Sequence, residues 1–241
     1  LLKLALALLR DGQPERAQQL LSQVEQLEPS NADVRFLRAE LEQHEHSDKA
    51  MVILKKMIAD KQDGYAVRLL LGKLLAAAGD DAGAREALEK ATTFDPLSAT
   101  PQYLLAEIAH ARADDDAELA AMRRLGQLEQ HEGKVYRRLL TLLVAKKGWE
   151  EAVKVGETAV YADMEGFTTH RLFGEALAQT GDKQRAVYEL ESAALSRAEA
   201  KDLAENQTRL AELYGSVGRG RDAARSRKLA QELLAKAPKP D

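Results

Sequence analysis

The side chains that most often carry out chemistry are scattered along this sequence of 241 residues. There are five histidines: His44, His46, His110, His131 and His170. His44 and His46 are two positions apart, which places them about 200° apart around a helix, so they do not face one metal ion. The chain has no cysteine, which excludes disulfides, thiolate metal sites and cysteine nucleophiles. We therefore expect no metal site and no cofactor.

Glycine-rich and acidic segments also lack the spacing that catalysis requires. Gly215, Gly218 and Gly220 have the wrong spacing for a dinucleotide loop, and they follow a predicted helix instead of a strand. Neither a nucleophile elbow nor a P-loop occurs. Paired acids such as Asp80 and Asp81 are interpreted as helix caps. The sequence thus predicts no catalytic residue and no enzyme within these 241 positions.

Composition narrows the classes of partner. Lys and Arg total 35 against 39 Asp and Glu, a net charge of −4, and nucleic-acid-binding domains usually carry a basic excess. Two basic clusters, around Lys134–Lys147 and Arg219–Lys228, are interpreted as solvated surface, with contact to nucleic acid or anionic lipid as the alternative. No run approaches the roughly 20 apolar residues that span a bilayer. We expect no nucleic acid and no membrane insertion; the compartment stays open, cytoplasmic or bacterial periplasmic.

Apolar and small residues follow a fixed period. Signals for strands are nearly absent, whereas apolar residues recur at helical spacing. A shift of about 34 residues aligns the chain with itself. One small-residue position recurs as Ala17, Ala50, Ala84, Glu118, Ala152, Ala186 and Ala223. Thirteen residues before each lies a large apolar residue: Leu4, Leu37, Leu71, Leu105, Leu139, Phe173 and Leu210. Small residues at helix crossings let two backbones approach, so the period predicts stacked helical hairpins.

This pattern resembles the tetratricopeptide repeat (TPR) family. The third unit carries its motif well, in the order Leu71, Gly72, Leu75, Gly79, Ala84, Leu88, Ala91 and Pro96. The sixth unit matches as closely, from Phe173 and Gly174 to Ala193. Tryptophan is missing from the start of every unit, and Glu118 occupies the alanine position of the fourth. A different solenoid of helix pairs is the alternative.

The resemblance implies an all-α fold, an α-solenoid of about seven TPR-like helix-turn-helix repeats in a right-handed superhelix. The repeat domain is expected over residues 1–236, with a frayed tail at 237–241. Its units are expected at about 1–30, 31–64, 65–98, 99–132, 133–166, 167–203 and 204–236. Three extra residues near Ala200–Leu203 displace the last unit.

The resemblance also implies where a partner binds. In the family, the first helix of each pair lines a concave surface that commonly binds peptides or helices. The matching positions here are Arg35, Lys73, Tyr103, Glu107, His110, Arg137, Thr141, Arg171 and Glu175. Arginine and tyrosine are well suited to anchoring a partner. The Lys and Asn clamp of chaperone-binding members is not matched, so binding of a chaperone's acidic C-terminus is not predicted.

The function indicated is a non-enzymatic scaffold for protein–protein interaction, binding a protein or peptide and forming part of a longer chain. One alternative is the repeat region of a larger enzyme, a peptidase or glycosyltransferase, with catalysis elsewhere. Another is a bacterial envelope scaffold for export of polysaccharide or outer-membrane protein. The first helix is apolar on all sides, with leucine at positions 1, 2, 4, 6, 8 and 9. We expect a preceding repeat, domain or partner chain to cover this end.

Overall fold

The computed structural model describes residues 1–236, so the tail predicted at 237–241 lies outside the described residues. In the described part the chain forms fourteen α-helices and no strand. The helices are α1 (Leu2–Arg10), α2 (Pro14–Leu27), α3 (Ala32–Glu42), α4 (Ser47–Ala59), α5 (Tyr65–Ala77), α6 (Asp81–Phe94), α7 (Thr100–Ala111), α8 (Asp115–Leu128), α9 (Gly133–Ala145), α10 (Trp149–Ala162), α11 (Phe167–Gln179), α12 (Lys183–Leu195), α13 (Ala200–Ser216) and α14 (Gly220–Lys236).

The helices form two compact units, which are described separately. The N-terminal unit comprises Leu1–Asp114, and the C-terminal unit begins at Asp115. In the N-terminal unit, α1 packs on α2, α3 on α4 and α5 on α6; in the C-terminal unit, α9 packs on α10, α11 on α12 and α13 on α14. First helices of neighbouring pairs also meet, as α9 does with α11. The predicted all-helical repeat fold is confirmed.

The small residues that recur with the period lie buried between packed helices. All seven members of the series, including Glu118, are buried. Beside the large apolar residue, Gly72 and Gly174 face the second helix of their own pairs. A Cβ on Gly72 would lie 2.7 Å from Leu88 Cγ, and one on Gly174 would lie 2.8 Å from Leu190 Cδ2. Each glycine therefore fits a close approach of two helices, at which an added Cβ would overlap a leucine of the facing helix.

The ends of the array depart from the regular pattern. In α1, Ala5 is fully buried, but Leu4 is 55% exposed and Leu1 is also exposed. Coverage of this surface by another element stays a prediction. Near the other end, α13 begins at Ala200 and has 17 residues where α11 has 13. The three extra residues lengthen this helix, and the boundary predicted between residues 203 and 204 lies inside it.

An ion pair accounts for the glutamate that takes the place of alanine in the fourth repeat. The carboxylate of Glu118 on α8 accepts two hydrogen bonds from Arg138 on α9, at 2.5 Å from Nε and 2.6 Å from Nη2. The Glu118 side chain is only 3% exposed. Arg38 on α3 binds Glu25 on α2 in the same two-bonded manner, at 2.9 and 2.6 Å. A bidentate pair of this kind supplies hydrogen bonds where other units place small residues.

Candidate functional site

The nine positions that the resemblance implied all lie on first helices of helix pairs. Five belong to the N-terminal unit, on α3, α5 and α7, and four to the C-terminal unit, on α9 and α11. On the N-terminal unit, Lys73, Glu107 and His110 are exposed, and Tyr103 is exposed over about a third of its surface (36%). These four side chains are accessible to a partner.

Two of the predicted arginines form hydrogen bonds within their own helix pairs. Arg35 Nη1 donates to Asp60 Oδ2 at 2.8 Å and to Gln62 Oε1 at 2.6 Å, across the end of α4. Arg137 binds both carboxylate oxygens of Asp163 at 2.8–3.0 Å, just after α10. Both arginines thus connect a first helix to the loop that follows the second helix of the same pair.

The loop after α10 is fixed from several sides. Asp163 also accepts a hydrogen bond from Thr169 Oγ1 at 2.5 Å, and Thr169 is completely buried in α11. Thr141, another predicted position, donates to the backbone oxygen of Arg137 at 2.8 Å. This network joins α9, the end of α10 and the start of α11.

The remaining two predicted positions, Arg171 and Glu175, line a groove between α11 and α13. The groove has a volume of about 280 Å³. Arg171 and Glu175 are partners along α11, with Nη1 and Oε2 at 3.9 Å. Opposite them, Arg209 and Glu212 on α13 form a similar pair at 3.9 Å. The structure therefore brings two predicted residues together with two that sequence reasoning missed.

The groove combines an apolar floor with a charged rim. Ala178, Leu190 and Leu213 supply apolar surface, and Lys183 adds a cation. The rim of three basic and two acidic side chains suits a peptide of mixed polarity whose apolar side chain fills the floor. A signal for Glu212 was present, because it follows the large residue Leu210 by two positions, as Glu175 follows Phe173.

A buried pair formed by a histidine and a glutamate is a second feature that the repeat motif did not predict. His170 on α11 places Nδ1 2.7 Å from Glu189 Oε2 and Nε2 2.9 Å from the backbone oxygen of Met164. Both residues are buried. Only the protonated ring has two N–H donors for two acceptors. The hydrogen bond to Glu189 raises the pKa of His170 most strongly, against the opposing effect of burial.

We expect the free energy of unfolding of the C-terminal unit to fall as pH rises above neutrality. The pKa of His170 is raised in the folded protein, so its contribution is complete below the unfolded value of about 6.5 and is lost as pH passes the higher folded value. Chemical denaturation across this pH range, compared between the wild type and His170→Gln, measures the contribution. His131→Gln, at an exposed loop position, is the control. An equal pH dependence in wild type and His170→Gln would contradict the assignment.

Other kinds of site receive no support in the described part of the chain. Among residues 1–236 no three His, Cys, Asp or Glu side chains are grouped so as to hold a metal ion. None of the helices described there has the length and apolar character to cross a bilayer. Asp80 Oδ1 accepts a hydrogen bond from the Gly83 N–H at 3.0 Å, which confirms its predicted role as a helix cap.

Comparison with known proteins finds similarity to tetratricopeptide repeats. Residues 41–108 match the profile of the tetratricopeptide repeat family, and a sequence search of curated proteins finds no match. The fold is similar to the C-terminal part of a TPR repeat-containing protein from Cytophaga hutchinsonii, with a TM-score of 0.63, 15% identity and coverage of 98% of this chain and 96% of that one. It is also similar to YrrB, a TPR protein with an unusual peptide-binding site, with a TM-score of 0.59, 16% identity and coverage of 76% and 93%.

A larger structure matches over nearly the whole chain. A chain of the Naa15/Naa10 complex bound to HypK-THB has a TM-score of 0.71 and 18% identity. The match covers 99% of this chain but only 36% of that chain. At these identities the likeness concerns the fold alone.

Proposed function

We propose a binding function for this chain, which is an array of tetratricopeptide repeats: a non-enzymatic scaffold that holds a peptide or protein segment against its first helices. The groove between α11 and α13 is the proposed contact surface. The observation that carries the proposal is this groove, in which Arg171, Glu175, Arg209 and Glu212 surround an apolar floor. Interaction scaffolds built on this fold give precedent, since YrrB has a peptide-binding site and the Naa15/Naa10 complex binds HypK-THB.

The form of the groove favours a peptide over a small molecule. Its charged groups are long side chains on three separate helices, α11, α12 and α13, instead of convergent buried groups. A peptide offers repeated apolar and charged side chains that match such a surface. The exposed N-terminal positions Lys73, Tyr103, Glu107 and His110 are proposed as further contacts with a partner protein.

Arg35 and Arg137 have a different proposed part in binding. Their guanidinium groups are occupied by Asp60 and Asp163, so they position the loops that support the first helices. Thr141 is bonded back to its own helix, which leaves its methyl group as the contact that it offers. Direct recognition is therefore assigned to the groove residues, with Arg171 and Arg209 as the anchors.

Selection from a displayed library of random peptides tests the proposal without a known partner. Peptides recovered on the wild-type chain are synthesised with a fluorophore, and affinity is measured by anisotropy. We expect Arg171→Glu with Arg209→Glu to weaken binding by about ten-fold or more, because two anchoring cations become anions. Arg225→Glu with Arg227→Glu makes the same charge change at exposed positions of α14 and should leave affinity unchanged.

Helix content and the free energy of unfolding are measured for each variant, so that a loss of fold is distinguished from a loss of contact. If selected peptides bind the groove variant as tightly as the wild type, the site lies elsewhere. If no peptide is recovered, the proposed peptide recognition is wrong.

A further inference from the structure

A second surface of the C-terminal unit carries four large exposed side chains. Tyr161 and Met164 lie at the end of α10 and in the loop after it, and Tyr188 and Leu195 lie on α12. These four residues, the α10–α12 patch, are between 65% and 90% exposed. They line one open cavity of about 940 Å³. Single exposed apolar residues are ordinary, whereas a contiguous group rimmed by polar residues marks an interaction surface.

The charges at the edge of the patch have opposite signs. Glu165 lies in the loop after α10, and Arg197 lies in the loop after α12. Both are exposed, and within residues 1–236 neither makes an ion pair or a side-chain hydrogen bond. The other two charged groups that line the cavity, His170 and Glu189, bind each other. Among the described residues the edge therefore presents one unpaired carboxylate and one unpaired guanidinium, each on its own loop.

We propose that a second copy of this chain covers the α10–α12 patch in a two-fold symmetric dimer. In such an interface both copies use the same surface. A contact between one residue of the first copy and a different residue of the second copy therefore occurs twice, once in each direction. Glu165 of each copy then meets Arg197 of the other, twice, while the apolar side chains cover one another. A partner of uniform charge would leave one of these two groups opposite a like charge.

The size of the patch is compatible with this occupant. A tyrosine contributes about 150–250 Å² to an interface, so Tyr161 and Tyr188 at their exposed fractions supply roughly 300 Å². Met164, Leu195 and the polar rim extend this toward the about 800 Å² that each partner buries in an interface of standard size. Glu165 and Arg197 also balance each other in charge, so the two facing rims do not add repulsion at the contact itself.

Charge reversal tests the arrangement directly. Sedimentation equilibrium over a wide range of concentrations should show the wild type in a monomer–dimer equilibrium. Glu165→Arg leaves two arginines at each edge, and Arg197→Glu leaves two glutamates. We expect each single variant to raise the dimer dissociation constant by about ten-fold or more, because both symmetric ion pairs become like-charge pairs. Both positions are exposed loop residues, so the fold is retained.

Mixing the two single variants provides the decisive measurement. Every contact between 165 and 197 in a mixed dimer pairs Arg with Glu, so the mixture should dimerise with an affinity near that of the wild type. Leu195→Glu should remove dimerisation, and Leu97→Glu, at a similarly exposed position of the N-terminal unit, should not. A monomeric wild type, a dimer that is indifferent to both charge reversals, or a mixture no tighter than its components would each overturn the proposal. Association through α1 would be indifferent to these substitutions and is distinguished in this way.

Discussion

Replacing Gly156 with alanine should lower the free energy of unfolding of the C-terminal unit by about 2 kcal/mol, within the range expected for overpacking. Gly156 lies in α10 and faces the ring of Phe173 on α11. A Cβ there would lie 2.8 Å from Phe173 Cε2 and still closer to Cγ and Cδ2. Phe173 is almost completely buried, so the ring has no free space into which to move. The overlap should outweigh the gain of about 1 kcal/mol in helix propensity.

The chain offers a matched control for this substitution. Gly215 is also within a helix, α13, and a Cβ at that position would meet no atom within 4 Å. Gly215→Ala should therefore raise the free energy of unfolding by up to about 1 kcal/mol. Chemical denaturation of both variants should therefore show changes of opposite sign in the free energy of unfolding for the same replacement of glycine by alanine. A Gly156→Ala variant as stable as the wild type would show that α10 and α11 do not approach this closely.

Replacing Arg138 with methionine should lower the free energy of unfolding by about 3 kcal/mol. The change retains an apolar side chain of similar reach but removes both hydrogen bonds to Glu118. Breaking a buried ion pair by deleting one partner costs about 3–5 kcal/mol, since the remaining charge stays in a poorly solvated place. Arg138 is one-third exposed, which places the expected loss at the lower end of that range.

The reverse deletion should have a smaller effect. Glu118→Ala installs the residue that the other six units carry at this position and removes the buried charge itself. The guanidinium of Arg138 then has access to water through its exposed third. Combining Arg138→Met with Glu118→Ala should give a protein more stable than Arg138→Met alone, as measured in a double-mutant cycle by denaturation. Equal losses for Arg138→Met and Glu118→Ala would mean that burial of the carboxylate is not the cause.

The repeat could be predicted because its physical cause acts at every unit. Two helices that cross closely need a small residue at the crossing, so Ala84 and Ala186 recur at the period and are buried. The irregular fourth unit shows the limit of this reasoning. Glu118 alone looks like a defect in the pattern, and its partner Arg138 lies 20 residues further on, at a position that the motif does not specify.

In the candidate site, too, the motif predicts the helix on which a residue lies but not the contacts of its side chain. Position along the motif correctly places Arg171 and Arg137 on first helices, but it does not distinguish a side chain that faces a groove from one that is held by a loop. Arg137 is held because Asp163, 26 residues later, ends the second helix beside it. The distance between Arg137 and Asp163 depends on the path of the loop after α10, which the motif does not specify.

That this chain is a helical repeat array follows from its residues alone, since a period of about 34 residues and small residues at crossings are local requirements of helix packing. Which polar groups bind one another and which surfaces stay exposed depends instead on how the helices pack in three dimensions. Tyr161 and Leu195 are 34 residues apart and occupy equivalent positions in successive pairs. Stacking places them at one cavity, because packing of α11 against both α10 and α12 brings successive second helices to the same side.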